Sequence, residues 1–378
     1  MKFLFVTTVP ITFGFCEQYI MDLKSLGHEC IIASSDIDAL KDLAHKWGLN
    51  YVYLPLYRGM NPIKDVKAIV KTRDELSRLK PDVLIAATPK AAMVSMIAGK
   101  ISGIKNRVYH IFGLPFETAV GLKRKLLLQI EKLTGEFATG VIPIGSSVLE
   151  SIQEQKIFAP AKLHLTGLLT TGGVDLKRFD PDALKGIGQN IRRQHGIKDT
   201  DVVIGYVARF TQDKGFIDLT EIWEKIKGNN NVHILLAGEM DSRAPLPNQI
   251  LDDFINQDRV HYLGYREDIE SIFAAMDIFL FPSYREGFGN VNLEASAMRV
   301  PVITYNVTGC KDAVQNNITG YVVPFKDYES IVLKINELID NPSIRKKFGE
   351  QGRSMVQRYF TTKIVGQNLI ATLNTIIK

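Results

Sequence analysis

Glu286 and Glu294, with seven residues between them in Phe281-Pro-Ser-Tyr-Arg-Glu-Gly-Phe-Gly-Asn-Val-Asn-Leu-Glu294, are two carboxylates able to touch different parts of one ligand. The segment leaves an apolar run, IFLF, turns through a glycine-rich loop and enters a helical pattern near Asn290. Backbone N–H groups at such a helix start are unpaired and lie at the positive end of the helix dipole, which suits the hydroxyls and phosphates of an anionic ligand. The plainer reading is a capped helix with a solvated glutamate at each end; the loop glycines and the preceding apolar run favour a site. A second pair is basic. Arg209 and Lys214, in GYVARFTQDKGF, lie in a loop between another apolar run and another helix. A planar fork donor and a point charge there could neutralise a pyrophosphate leaving group without a metal.

His110 lies in the run RVYHIFG and Glu117 just after it, and either could take the proton of an acceptor hydroxyl or orient it, although a histidine at a strand end is commonly structural. Thr88-Pro89-Lys90 follows DVLIAA and is a further candidate, or an ordinary proline-terminated loop. Gly14 lies between the first strand and the first helix, where a missing side chain lets backbone approach a phosphate, or simply makes a turn.

These residues need elements to hold them. Short β-branched or aromatic runs alternate with amphipathic stretches along the chain, the pattern of parallel sheets with helices on both faces. Helices are expected at Glu17 to Leu26, Ile37 to Trp47 and Pro62 to Leu79, and the pattern restarts after Val141 to Ile144. A glycine-rich stretch from Gly167 to Gln194 reads as a loop-rich connection, and a second set of strands and helices begins at VVIGYVA. The final helices, Ser343 to Tyr359 and Lys363 to Ile377, follow GYVVPF directly, the last returning to the first domain. In open sheets of this kind ligands bind beyond the carboxyl ends of the strands, where all the residues above fall.

At 378 residues the chain suits two domains. A net charge of +5 is too small for a dedicated nucleic-acid binder but leaves acidic ligands open. Cys16, Cys30 and Cys310 form no CxxC pair, so neither a disulfide framework nor a zinc site is indicated and a reducing, cytoplasmic setting fits. The start of the chain breaks after Val6 into Thr-Thr-Val-Pro, a first strand and not a signal peptide. Neither half carries GxGxxG, GxSxG or a phosphate-loop motif, which sets aside dinucleotide oxidoreductases, α/β-hydrolases and P-loop NTPases.

The Glu286 to Glu294 segment resembles the E-x7-E motif of glycosyltransferase family 4. The resemblance covers nearly the whole chain, through Arg209 and Lys214, the AGE loop at Ala237 to Glu239, the run Tyr262 to Ser283, TGCKD at Thr308 to Asp312 and ITGYVVP at Ile318 to Pro324. It implies the α/β GT-B architecture, two doubly wound parallel-sheet (Rossmann-like) domains facing across a cleft. Residues 1–178 would form the acceptor-side domain, with a return helix at 361–378, and residues 179–360 the nucleotide-sugar domain. It implies that Glu294 binds the ribose hydroxyls and Glu286 lies beside the donor sugar, that backbone of Phe288, Gly289 and Asn290 holds sugar hydroxyls, that Gly264-Tyr265-Arg266 frames the base, and that Glu239 lies at the donor. Gly14 stands alone where many members carry a glycine pair, and Glu117 matches the GL-x-x-ET stretch of polysaccharide-assembly members.

The function so implied is retaining transfer from a nucleotide-diphosphate donor, a UDP-sugar, to a hydroxyl acceptor, a lipid-linked glycan of cell-surface polysaccharide synthesis, with no cofactor, metal or nucleic acid. The stretch Lys100 to Leu133 carries seven basic residues against Glu117 and Glu131, with leucines interleaved, and suits the inner face of an anionic membrane or a core-packed helix with a basic face. A non-catalytic nucleotide-sugar-binding subunit and a UDP-sugar epimerase of similar architecture are the alternatives. Acceptor-dependent release of nucleotide diphosphate separates transfer from both.

Overall fold

The computed structural model describes all of the chain except Met60, Leu169, Thr171, Arg243 and Lys378, with Asn248 described through its backbone. The chain divides into two compact units, Met1–Gly173 with Thr362–Lys378, and Val174–Thr361. The first holds strands β1 (Lys2–Val6), β2 (Glu29–Ser34), β3 (Asn50–Tyr53), β4 (Val83–Ala87), β5 (Asn106–Ile111) and β6 (Gly140–Pro143), all parallel, in the order β3-β2-β1-β4-β5-β6. Between them run α1 (Glu17–Ser25), α2 (Ile37–Trp47), α3 (Pro62–Leu79), α4 (Pro89–Ile101) and α5 (Gly121–Phe137), with α6 (Ser146–Glu154) after β6. Every residue of β4 and β5 is buried, as expected of strands covered on both faces.

Local chemistry sets the helix ends. The Asp36 carboxylate accepts from the Ala39 N–H at the start of α2, which closes at Gly48 in the left-handed conformation (φ 60°). Asn61 caps α3 in the same way by accepting from Lys64 N–H, with Pro62 opening the helix.

The second unit contains α7 (Pro181–Gln194), β7 (Val202–Val207), α8 (Phe216–Ile226), β8 (Val232–Ala237), α9 (Asn248–Ile255), β9 (Val260–Tyr262), α10 (Ile269–Phe273), β10 (Ile278–Phe281), α11 (Asn290–Ala297), β11 (Val302–Tyr305), β12 (Gly320–Val323), α12 (Tyr328–Asp340) and α13 (Pro342–Tyr359). Its sheet runs β12-β11-β10-β7-β8-β9, again parallel. Read from the β9 edge, this is the order of the first sheet: the first and fourth strands of each unit lie side by side at the centre, where the winding direction reverses. Tyr206, Phe210, Phe216 and Trp223 form the centre of its core.

Two expectations are corrected. Residues 181–194 are helical, not loop: Asp180 caps α7 through the N–H groups of Asp182 and Ala183, Pro181 opens it, and Ile191 is buried. Gly188, inside α7, has a packing role, since a Cβ there would collide with the Ala274 carbonyl at the end of α10. Of the expected connection, Leu169 and Thr171 lie outside the described residues. Second, α12 intervenes between β12 and the final helices, started by Asp327, whose carboxylate accepts from Ser330 N–H.

The last helix, α14 (Thr362–Ile376), belongs to the first unit. Its Leu369, Leu373 and Ile376 join Phe3, Phe5 and Ile20 in one core, and Gly366 lies against Gln18 and Asp22 of α1. Among the described residues no helix is long and apolar enough to cross a membrane.

Candidate functional site

In the second unit the central strands β7 and β10 pair directly, Ile278 opposite Ile204. Their following loops therefore emerge together. The β7 loop carries Arg209 and passes through a 3-10 turn, Gln212–Lys214, to Gly215 and α8; the β10 loop carries Ser283, Glu286 and Gly289 into α11. Two glycines make the joint possible. Gly215 has φ 73° and a Cβ there would meet the Pro282 carbonyl oxygen, while Gly309 has φ 79° and a Cβ there would meet the backbone of Glu286. Glu286 N–H in turn donates to Thr308 O at 3.0 Å.

Within this joint the Lys214 ammonium donates to Glu286 Oε1 at 2.5 Å, and Ser283 Oγ donates to the same oxygen at 2.9 Å. Both partners are mostly buried, the side chains 17% and 16% exposed, so the pair is only partly screened by water. The Asp213 carbonyl accepts from Tyr284 N–H at 2.9 Å and from Ser283 Oγ at 3.1 Å, stitching the loops together. Burial pushes the Asp213 carboxyl up, but the Thr211 hydroxyl and the charges of Lys214, Arg285 and Arg209 outweigh it and hold the group below its ordinary value. The loop pair thus concentrates positive charge. The Arg209 guanidinium, half exposed, donates to the buried carboxylate of Asp241.

Gly289, in the left-handed conformation (φ 72°, ψ 50°), starts α11, with Asn290 as its first residue. Glu294 lies one turn further on, and its carboxyl is pushed up to about 7, chiefly by burial, with Glu270 reinforcing and Arg178 opposing the shift. Arg178 itself pairs with Glu270 at 2.8 Å. Phe288 is buried, its ring centroid 5.4 Å from that of Phe360, so its side chain is taken up by packing. Glu239 has an exposed side chain and accepts from Phe210 N–H through its carbonyl at 2.8 Å. Tyr265 is 64% exposed, just after Gly264, whose carbonyl accepts from Gly238 N–H at 2.9 Å. Glu239 and Tyr265 thus sit on adjoining loops after β8 and β9.

In the first unit His110, the penultimate residue of β5, is 2% exposed and neither ring nitrogen has a hydrogen-bond partner among the described residues. Burial pulls it down to about 3, so it is a neutral imidazole, packed edge-on to Phe112 at 4.7 Å between ring centroids. Glu117 is partly exposed and accepts from Ser151 Oγ at 2.8 Å. Gly14 is exposed in a 3-10 turn, Pro10–Phe15, and a Cβ there would meet nothing within 4 Å. Thr88 is strained, with φ 74°, and its hydroxyl bonds that of Thr8 at 2.7 Å across the central strands β1 and β4. Lys90 forms an ion pair with Asp65 at 2.5 Å.

Sequence reasoning missed Asp241, Ser283, Arg178 and Glu270, which hold or tune the residues it found. Ser283, at the end of the FPS run, had the clearest signal; the others come from loops and helices distant in sequence. Among the described residues no group of three or more His, Cys, Asp or Glu side chains is arranged to hold a metal ion.

Residues 188–355 match the family described as glycosyl transferases group 1, and residues 16–168 the glycosyl transferase 4-like domain. A capsular polysaccharide biosynthesis glycosyltransferase of Staphylococcus aureus, CapM, is 30% identical over 382 residues, covering 100% of this chain and 98% of that protein. The chain belongs to this glycosyltransferase family. A second relative, from Escherichia coli, is described as a UDP-Gal:alpha-D-GlcNAc-diphosphoundecaprenol alpha-1,3-galactosyltransferase; it is 25% identical over 291 residues, 76% of this chain and 73% of its own. Among solved structures, Anabaena HepE in complex with UDP superposes with a TM-score of 0.82 at 18% identity, covering 99% of this glycosyltransferase and 100% of HepE. The likeness shows the fold, GT-B with two Rossmann-like α/β units.

Proposed function

We propose that this glycosyltransferase moves a sugar from a UDP-sugar to a hydroxyl of a lipid-linked glycan in cell-surface polysaccharide synthesis, retaining the anomeric configuration. The observation that carries the reading is the Lys214–Glu286 pair at the mouth of the β7 and β10 loops, beside Arg209 and the start of α11. Lys214 and Arg209 take the diphosphate, exchanging carboxylate partners for phosphate oxygens, and the N–H groups at Gly289 and Asn290 add dipolar charge compensation. No metal is needed for that compensation. Glu286, released from Lys214, supports positive charge on the sugar as the bond from its anomeric carbon to the β-phosphate oxygen breaks. The acceptor oxygen bonds the same face and its proton passes to the departing phosphate. Glu294 receives the ribose hydroxyls, and Glu239 and Tyr265 border the nucleotide.

On the acceptor side we assign Glu117 and His110, the first with carboxylate surface to offer a hydroxyl, the second as a neutral ring that shapes the strand end. The E. coli relative's diphosphoundecaprenol acceptor and the UDP bound to HepE support the substrate classes. Acceptor-dependent UDP release from a panel of UDP-sugars, unaffected by EDTA, with the product's anomeric configuration read by NMR, tests the reading; inversion, or sugar conversion without acceptor, would overturn it.

Helix α5 supports a membrane contact. It buries Glu131, 3% exposed, against Tyr109 OH at 2.9 Å, while Leu122, Leu126 and Leu133 are 83%, 49% and 47% exposed. Those leucines lie at the centre of the outward face, rimmed by Lys123, Lys125 and Lys132, an arrangement suited to an anionic bilayer. Co-sedimentation with phosphatidylglycerol vesicles, lost in Leu122→Ser/Leu126→Ser and absent with phosphatidylcholine, is the expected result.

A further inference from the structure

Asp218, on the first turn of α8, is 1% exposed, and among the described residues it forms no ion pair. A buried carboxylate without a cation is costly unless its oxygens are hydrogen-bonded. Here one oxygen accepts from Tyr284 OH at 2.8 Å and the other from Tyr305 OH at 2.7 Å. The start of α8 adds a favourable dipole.

The two phenols come from different places. Tyr305 is the last residue of β11, in the rigid core. Tyr284 stands in the β10 loop, next to Ser283 and two residues before Glu286. Its ring is held edge-on by Phe325 at 4.9 Å and lies under Lys326, whose Nζ is 4.8 Å from the ring centroid. Asp218 is itself four residues beyond Lys214, so a single carboxylate ties the helix that follows the lysine to the loop that carries the glutamate.

We infer that Asp218 is a positioning residue, which through Tyr284 fixes the Glu286 loop against Lys214 and sets the distance between the two reacting-site charges. This rests on the glycosyl-transfer reading for its catalytic consequence, though not for the anchoring itself. Its chemistry suits a carboxylate: its two oxygens accept from Tyr284 and Tyr305 at once, with the Tyr328 hydroxyl also turned on the same group. An amide in its place offers one acceptor oxygen, and its N–H₂ holds the second phenol only if that phenol oxygen turns to accept, so Asp218→Asn weakens one of the two bonds.

The paired tyrosines provide an internal control. Tyr284→Phe and Tyr305→Phe each remove one phenol bond to the same carboxylate, but only the first cuts the link to the loop. Amide hydrogen exchange of residues 282–289 in the free protein is expected to accelerate in Tyr284→Phe and to stay at the wild-type rate in Tyr305→Phe. With donor and acceptor, kcat is expected to fall about tenfold in Tyr284→Phe, because small displacements of a reacting group are costly, and to stay within about twofold in Tyr305→Phe, at comparable losses in Tm. Equal loop exchange in both variants overturns the inference, as does an equal fall in kcat. A wild-type protein that neither binds UDP nor turns over, with the exchange difference intact, would sink the glycosyl-transfer reading and leave the anchoring standing.

Discussion

The two units share one strand order yet equip their central strands differently. After β7 and β10 come Arg209, Lys214 and Glu286: Lys214 and Glu286 are joined across the reversal point, and Arg209 is joined to Asp241 after the neighbouring β8. After β1 and β4, the equivalent strands, come Thr8 and Thr88, two hydroxyls bonded to each other, with the nearest histidine buried and neutral. The same fold thus gives one crevice suited to a highly charged ligand and one suited to hydroxyls. A topology fixes where ligands go; the residues in two loops decide their charge.

Charge substitutions should widen that contrast most. Lys214→Ala or Glu286→Gln is expected to lower kcat by about 10²–10³-fold, the scale for removing a preorganised charge from a transition state, whereas Thr88→Ser stays within a few-fold. Steady-state kinetics on the purified protein decide it; equal losses at both centres would erase the distinction.

Next in size is Gly215→Ala. The added methyl would meet the Pro282 carbonyl at a positive φ, so the β7 and β10 loops would have to part. Thermal denaturation is expected to show a loss of about 2–4 kcal/mol, compared with little change for Gly14→Ala, whose Cβ meets nothing. A stable Gly215→Ala protein would mean the loops are not tightly joined.

A third test is pH. Glu294 is held up to about 7, mainly by burial, so below that value its protonated form predominates in the free protein. On the proposed assignment, ribose hydroxyls would donate to the ionised carboxylate. UDP affinity measured by calorimetry should therefore strengthen as pH rises through about 7 and weaken by up to about tenfold per unit below it, an effect absent in Glu294→Gln. A flat profile in the wild type would remove Glu294 from the ribose.

The smallest effect belongs to the first unit. His110 has its pKa lowered to about 3 in the fold, so the unfolded chain takes up a proton below about 6.5 while the fold does not. Its contribution is present above about 6.5 and is lost as pH falls toward 3. His110→Phe should flatten that part of the stability profile in urea titrations, and leave turnover nearer to wild type than Glu117→Gln does.

Much of this was legible in the sequence. The ends of α2 and α3 follow from Asp36, Gly48, Asn61 and Pro62, and the alternation of apolar runs with amphipathic stretches gave both sheets. What local patterns cannot carry are partners made by the sheet order. Asp241 meets Arg209 only because β7 and β8 are neighbours, and Ser283 meets Asp213 only because β7 and β10 are. The close approach of Gly188 to the end of another helix is also invisible in one dimension. His110 likewise looked available, since nothing in RVYHIFG announces that Phe112 and Tyr19 will cover it.

One consequence concerns the order of synthesis. Helix α14 completes the core of the first unit beneath α1, yet it is translated after every residue of the second. On the ribosome, Phe3, Phe5 and Ile20 must wait, incompletely covered, until Leu369, Leu373 and Ile376 emerge. The second unit can close as it is made, while the first to be synthesised is the last to finish, and nascent chains halted before Thr362 should be the ones most in need of a chaperone.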